Sequence, residues 1–69
     1  MTDDKKLITV EVVFYNETKV ILAVQLVRTW GLCTAYGAAF NILSRDFPQT
    51  SKAIETQCTS FSAVIVDKG

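Results

Sequence analysis

The sequence predicts a small α+β domain, a sandwich of order β-α-α-(α or β)-β with two helices packed on one face of a two- or three-stranded sheet. Two observations predict it: an alternating apolar stretch lies near each end of the chain, and stretches with helical spacing lie between them. With 69 residues there is room for one hydrophobic core. Residues 7–69 are therefore predicted to form a single domain, preceded by a disordered polar tail at residues 1–6.

The two terminal strands are predicted from alternation and residue type. Residues 7–15 alternate in two sets and are rich in β-branched and aromatic side chains, which is typical of a half-buried strand. Residues 61–66 are apolar and β-branched, which predicts a closing strand. We expect the two strands to pair in one sheet, with Thr9 and Glu11 facing solvent or a second copy.

The segment from Lys19 to Trp30 is predicted to form the first helix, because apolar residues recur there every three or four positions. Asn16 or Thr18 can cap this helix by accepting a bond from a backbone N–H. Gly31 can end it in the left-handed conformation. The helix would be apolar around most of its circumference. Its apolar stripe comprises Val20, Ala23, Val24, Val27 and Trp30.

A second helix is predicted over residues 34–47, where Pro48 ends it. Gly37 and Ala38 lie inside it, and such small residues are expected to let the first helix approach closely. Residues 49–60 fit a short helix or a strand, and the short helix is favoured. One apolar line along the second helix comprises Tyr36, Phe40, Leu43 and Phe47, flanked by Ala35, Ala39 and Ile42.

Composition argues against several classes of function. Seven basic and seven acidic residues leave no net charge to attract phosphate backbones, which disfavours nucleic acid as a partner. The chain has no histidine to activate a nucleophile, and its carboxylates are scattered. Cys33 and Cys58 form no CxxC motif and are expected to be buried reduced thiols. We therefore expect a non-catalytic protein without metal or cofactor.

The sequence also favours a cytoplasmic protein over a membrane protein. The first residues lack the apolar run and cleavage site of a secretory signal. Residues 20–43 are long enough for a membrane span, but polar residues interrupt them and Arg28 lies near their middle. An arginine at that depth costs about 2.5–3.5 kcal/mol on insertion scales, which disfavours a span.

The first predicted helix carries the main functional hypothesis, since it has more apolar surface than a small sheet and one neighbouring helix can cover. Apolar surface rimmed by polar groups usually marks an interaction site. We therefore predict a small protein-interaction module that binds its partner through this helix, although a homodimer or the third element could cover the same surface. Trp30 fits either the core or a contact anchor. The candidate contact residues are Lys19, Leu22, Gln25, Leu26, Arg28, Trp30 and Leu32.

A KH-like protein that binds single-stranded nucleic acid is the alternative function. The segment Gly31-Leu32-Cys33-Thr34, between the two predicted helices, is similar to the GxxG loop of KH domains. Thr34 stands in place of the second glycine, and the loop contains no Lys or Arg. The simpler interpretation is that Gly31 caps a helix and Leu32 fills the core.

Several short segments resemble the C-terminal domain of the bacterial ribosomal stalk protein, which recruits translational GTPases. They are Val-Glu-Val-Val-Phe at 10–14, Lys19-Val20, Val27-Arg28, Gly31-Leu32, Pro48 and Ala63-Val64. The resemblance spans residues 8–66 and implies a related fold, which the ClpS adaptors share. It also implies protein binding through the first helix and the turn after it, with Lys19, Val20, Arg28, Gly31 and Leu32 at matching positions.

The chain departs from that family after the Gly-Leu turn, where Ala35, Tyr36 and Gly37 replace acidic and basic residues and the spacing differs. The dimerisation arm of the family is absent, and so is the ligand-binding histidine of ClpS. With these departures, the resemblance implies a small regulator or inhibitor of a host or cellular protein, for example one encoded by a bacteriophage, instead of GTPase recruitment itself.

Overall fold

The alternating stretch near the start of the chain forms the central strand of a three-stranded antiparallel sheet. The computed structural model describes residues 7–67, so the predicted tail at 1–6 lies outside the described residues. The predicted α+β class, with two helices packed against one sheet, is confirmed. The elements are β1 (Ile8–Tyr15), β2 (Ile21–Thr29), α1 (Leu32–Asp46), α2 (Pro48–Gln57) and β3 (Ser60–Asp67), and the strand order is β2-β1-β3.

The prediction of a helix over residues 19–30 is wrong, because this segment forms the hairpin partner of β1. Its residues alternate between the two faces of the sheet: Val27 lies opposite Val10 on the helix side, and Leu26 lies opposite Glu11 on the other side. β-Branched residues favour strands because their stiff side chains fit a pleated surface. A strand with apolar residues on both faces lacks regular apolar–polar alternation, so its pattern also matches a helix that is apolar around most of its circumference.

Asn16, which was predicted as a possible helix cap, instead stabilises the hairpin turn between β1 and β2. The side-chain oxygen of Asn16 accepts bonds from the backbone N–H of Thr18 at 2.9 Å and of Val20 at 3.0 Å. The N–H of Lys19 donates to the carbonyl of Asn16, and Lys19 has a φ of 68°, in the left-handed region. A β-turn followed by a left-handed residue is a common short hairpin connection.

The two helices that follow β2 lie close to the positions predicted for the second helix and the short third helix. Helix α1 spans nearly the predicted residues, and the favoured short helix over residues 49–60 is confirmed as α2. Pro48 ends the first helix and occupies the first turn of the second, where its missing N–H leaves no bond unmade. Gly31 precedes α1 in an extended conformation, with a φ of −173°, so it does not end a helix as predicted.

The core lies between the helices and the helix side of the sheet. Val10, Val12 and Phe14 of β1 are fully buried, with exposed fractions of 0%. The predicted line through Tyr36 and Phe40 is not the most buried one, because the small residues beside it let α1 approach the sheet. The other fully or nearly fully buried members of the core are Val27, Ala35, Ala39, Leu43 and Ile54.

An aromatic cluster extends from the core toward β3. The Phe14 and Tyr36 rings meet edge-to-face, with their centroids 5.3 Å apart. The Tyr36 centroid also lies 4.6 Å from that of Phe61, and Tyr36 is parallel to Phe40 at a centroid distance of 6.4 Å. Such pairs contribute about 0.5–1.5 kcal/mol beyond the area they bury. The cluster therefore anchors α1 to the sheet at its β3 side.

We expect Gly37→Ala to stabilise the fold by up to about 1 kcal/mol, because alanine has the higher helix propensity and restricts the unfolded chain. The expected close approach at Gly37 is absent: the residue is exposed, and a Cβ there meets nothing within 4 Å. Urea denaturation followed by circular dichroism checks this increase. A loss of stability would mean that α1 packs more tightly at Gly37 than the geometry indicates.

Candidate protein-interaction surface

The sheet has one side that no described helix covers, and we call it the open face. Directly paired residues of neighbouring strands lie on the same face. Glu11 of β1 is paired with Leu26 on one side and with Val64 on the other, and Val13 is paired with Val24 and Ser62. The open face comprises Thr9, Glu11, Val13 and Tyr15 of β1, Ile21, Val24, Leu26 and Arg28 of β2, and Ser60, Ser62, Val64 and Asp67 of β3.

The open face exposes several large apolar side chains, most of them on β2. Ile21, Val24, Leu26 and Val64 have exposed fractions of 56%, 49%, 54% and 53%. Val13, between Val24 and Ser62, is only 8% exposed because its neighbours on both strands shield it. Soluble monomers rarely expose contiguous apolar patches above a few hundred Å², so a patch of this kind indicates an interface.

Three charged residues lie on the open face, one of which is Asp67, paired with Thr9 at the end of β3. Glu11 is half-buried near the centre, and Arg28 is exposed at one end, opposite Thr9. Within residues 7–67 the structure contains one ion pair, between Arg45 and Asp46. Neither Glu11 nor Arg28 therefore forms an ion pair with another described residue.

The Arg45–Asp46 pair lies at the end of α1, on the other side of the molecule. The hydrogen bond from Arg45 lowers the pKa of Asp46, and the same pair raises the pKa of Arg45. Both side chains are well exposed, so solvent screens the interaction. This pair is a local feature of the helix end and has no part in the open face.

The predicted contact residues do not form one surface, because their segment is a strand. Leu26 and Arg28 lie on the open face. Leu22 packs against the core, and Gln25 points to the helix side, where its amide donates to the carbonyl of Leu26 at 3.0 Å. The remaining three are exposed elsewhere, Lys19 in the hairpin turn and Trp30 and Leu32 at the junction of β2 with α1.

Trp30 does not lie in the core, since its side chain is 59% exposed. The prediction that Leu32 fills the core is also wrong, because Leu32 is exposed. The sequence reasoning did not include Val13, Val24 and Val64 among the contact residues. A signal for Val13 was present, because both alternating sets of β1 contain apolar residues. A strand at the surface of a two-layer fold normally has polar residues on its outer face.

Other sites of chemistry are sparse in the described part of the chain. Both cysteines are free thiols; Cys33 is exposed, which corrects its predicted burial, and Cys58 is half-buried with its Sγ 3.2 Å from the carbonyl of Ser60. No three His, Cys, Asp or Glu side chains of residues 7–67 are grouped so that they could hold a metal ion. A groove of about 370 Å³ is lined by residues 47–50, which offer no nucleophile paired with a base.

The loop that suggested a KH domain lies elsewhere than predicted. Gly31 lies between β2 and α1, and Leu32, Cys33 and Thr34 form the first turn of α1, whereas a single residue, Phe47, separates α1 from α2. The hydroxyl of Thr34 bonds to the hydroxyl of buried Thr29 and to the carbonyl of Gly31 at 3.0 Å. These bonds attach the loop to the end of β2, so the prediction of a GxxG-like loop between two helices is wrong.

Comparison with known proteins finds no relative: no family model, no curated protein and no solved structure matches the chain. The resemblance to the ribosomal stalk domain stays a prediction from short segments, and the helix that it implied at Lys19-Val20 is replaced by the hairpin turn and β2.

None of the helices formed within residues 7–67 has the length and apolarity needed to cross a membrane.

Proposed function

We propose that this chain is a small non-catalytic protein-interaction module that binds a cytoplasmic protein through the open face of its sheet. The observation that carries the proposal is a set of four half-exposed apolar side chains at Ile21, Val24, Leu26 and Val64. The first three lie on β2 and Val64 lies on β3, across Glu11, on strands whose other face already packs against the helices. In this proposal the module acts by occupying a surface of its partner, as a regulator or inhibitor does.

The charges on the open face define the chemistry of the partner. A half-buried carboxylate covered by a partner loses its remaining water and then requires a hydrogen-bond donor. The partner surface is therefore apolar, with a Lys, Arg or amide group at the position of Glu11 and a carboxylate near Arg28. Because its exposed apolar side chains are spread over β2 and β3, an extended sheet or a broad helix pair fits the open face better than a single inserted side chain does.

Leu26→Lys is expected to weaken partner binding about tenfold or more, because it places a charge at the centre of the contact. The substitution spares the fold, since Leu26 is exposed and lies directly opposite Glu11. Opposite charges at paired positions of a sheet attract, so the new ammonium binds the carboxylate that the partner would otherwise meet. Quantitative pull-down from lysate with mass spectrometry, followed by binding isotherms of the captured protein, measures the effect.

Phe47→Lys is the matched control, because Phe47 is exposed to the same degree but lies between the helices, away from the open face. We expect this variant to capture the same protein with unchanged affinity, and both variants to keep the wild-type circular dichroism spectrum. Equal capture by the wild-type protein and by Leu26→Lys would refute the open face as the binding surface.

A further inference from the structure

The outer edge of β3 has no pairing partner among the described strands. The strand order β2-β1-β3 leaves residues 60–66 of β3 without a neighbouring described strand on one side, and their backbone N–H and C=O groups on that side can pair with another strand. Natural proteins protect such edges with charged residues, proline or bulges. Residues 60–66 of β3 contain no charged residue, proline or glycine, and the irregularity in its pairing comes only after Ile65.

The edge of β2 differs from that of β3 in two respects. The side-chain amide of Gln25 already donates to a backbone carbonyl of this strand, that of Leu26. Arg28 adds a charge within β2, of the kind that protects an edge from pairing with another strand. The β3 edge is therefore the better site for pairing between identical chains.

The helix side of β3 is also incompletely covered. Both helices contact β2, whereas only α1 makes extensive contact with β3. Phe61 and Ile65 point to the helix side, since they are paired with Phe14 and Val10. They are nevertheless 48% and 38% exposed, although Phe14 and Val10 are fully buried. An apolar strip thus runs along the free edge of β3, beside the Tyr36 ring.

We infer that the β3 edge binds the β3 edge of a second copy, in antiparallel orientation, so that two domains form one continuous six-stranded sheet. Residues that face each other across a sheet lie on the same side, so the symmetry axis must pass through a residue position. An axis at Ala63 places Phe61 opposite Ile65 of the other copy, and by symmetry Ile65 opposite Phe61 of the other copy. Of the symmetric registers, this one pairs both exposed apolar residues of the helix side with each other.

A second copy fits this edge better than an unrelated strand does. The register at Ala63 forms an aromatic–aliphatic pair on each side of the axis, and such cross-strand pairs stabilise sheets. The chain has no formal net charge, so two copies approach without repulsion. Pairing of residues 60–66 of the two copies buries on the order of 1,000 Å² in total, close to the lower bound for a specific interface.

An interface of this size predicts a weak dimer, with a dissociation constant on the order of 10 µM. Sedimentation velocity across a concentration series measures it directly. Ile65→Lys is expected to weaken the dimer at least tenfold: its ammonium can reach solvent in the monomer but would lie opposite Phe61 of the other copy in the dimer. Val20→Lys, at an exposed apolar position in the hairpin turn beside β2, is the matched control and is expected to leave the dimer unchanged.

A cysteine at Ala63 tests the register. In a background with Cys33→Ser and Cys58→Ser, Ala63→Cys places two thiols directly across the axis, where Cα atoms about 4.5–5.5 Å apart permit a disulfide. Mild oxidation is expected to give a covalent dimer, whereas Val20→Cys in the same background stays monomeric. Ala63 is half-buried and its replacement is small, so the variant keeps the fold.

The outcomes separate this inference from the proposed function. Leu26→Lys is expected to lose the captured partner and keep the dimer, whereas Ile65→Lys loses the dimer and keeps the partner. A wild-type protein that sediments as a monomer at all concentrations overturns the β3 dimer. The same conclusion follows if Ile65→Lys dimerises as the wild type does, or if Ala63→Cys fails to cross-link.

Discussion

Phe14→Ala is expected to destabilise the fold by about 3–5 kcal/mol, the range for removing a buried aromatic ring. Phe14 is fully buried on the central strand, and its ring centroid lies 5.3 Å from that of Tyr36. Loss of the Phe14 ring therefore opens a cavity between the sheet and α1. A core of this size rarely provides more than about 3–5 kcal/mol of net stability. We therefore expect the variant to be largely unfolded at 25 °C, which circular dichroism and urea denaturation measure.

Phe47→Ala is the matched control for the loss of this ring. Phe47 is 55% exposed, so we expect its removal to change the free energy of unfolding by no more than about 0.5 kcal/mol. If Phe14→Ala also changed the stability by less than 1 kcal/mol, Phe14 would not be the centre of the core.

Ala39→Leu is expected to destabilise the fold by about 1–3 kcal/mol or more through overpacking. Ala39 and Ala35 have exposed fractions of 0% and lie on the face of α1 that meets the core. Three added carbon atoms have no space there, so α1 must shift away from the sheet or adopt strained side-chain conformations. Thermal unfolding followed by circular dichroism measures the resulting decrease in Tm.

Asn41→Leu introduces the same side chain at an exposed position of the same helix and is the matched control. Leucine has the higher helix propensity, so this variant is expected to be as stable as the wild type or slightly more stable. Equal stability of the two leucine variants would show that α1 does not approach the sheet closely at Ala39.

Most elements of the fold could be predicted from the sequence, because their local signals agree with their final structure. Strand β1 has both the alternation and the residue types of a strand, and Pro48 marks the boundary between the helices. The segment that became β2 could not be assigned from periodicity. Its apolar residues lie on both faces of the sheet, one packed on α1 and the other open. The spacing of Val20, Val24 and Val27 does not reveal this tertiary environment.

The candidate surface was predictable only in part for the same reason. Excess apolar surface on residues 20–30 was a correct observation, and Leu26 and Arg28 do lie on the open face. A helical repeat, however, groups Leu22 with Leu26, whereas a strand with an irregularity near its start separates them. The contribution of Val13 and Val64 depends on strand pairing between distant parts of the chain, which a single sequence does not reveal.

The position of β1 at the centre of the sheet has a consequence for the order of events on the ribosome. Its partner β2 follows after a short turn, but Tyr15 contacts Ser62, which lies 47 positions later. A nascent chain can therefore close the hairpin early and must keep the second side of β1 unpaired until β3 has emerged from the exit tunnel. Such distant pairing is intrinsically slow, and until it forms, the second edge of β1 can pair with a strand of another molecule.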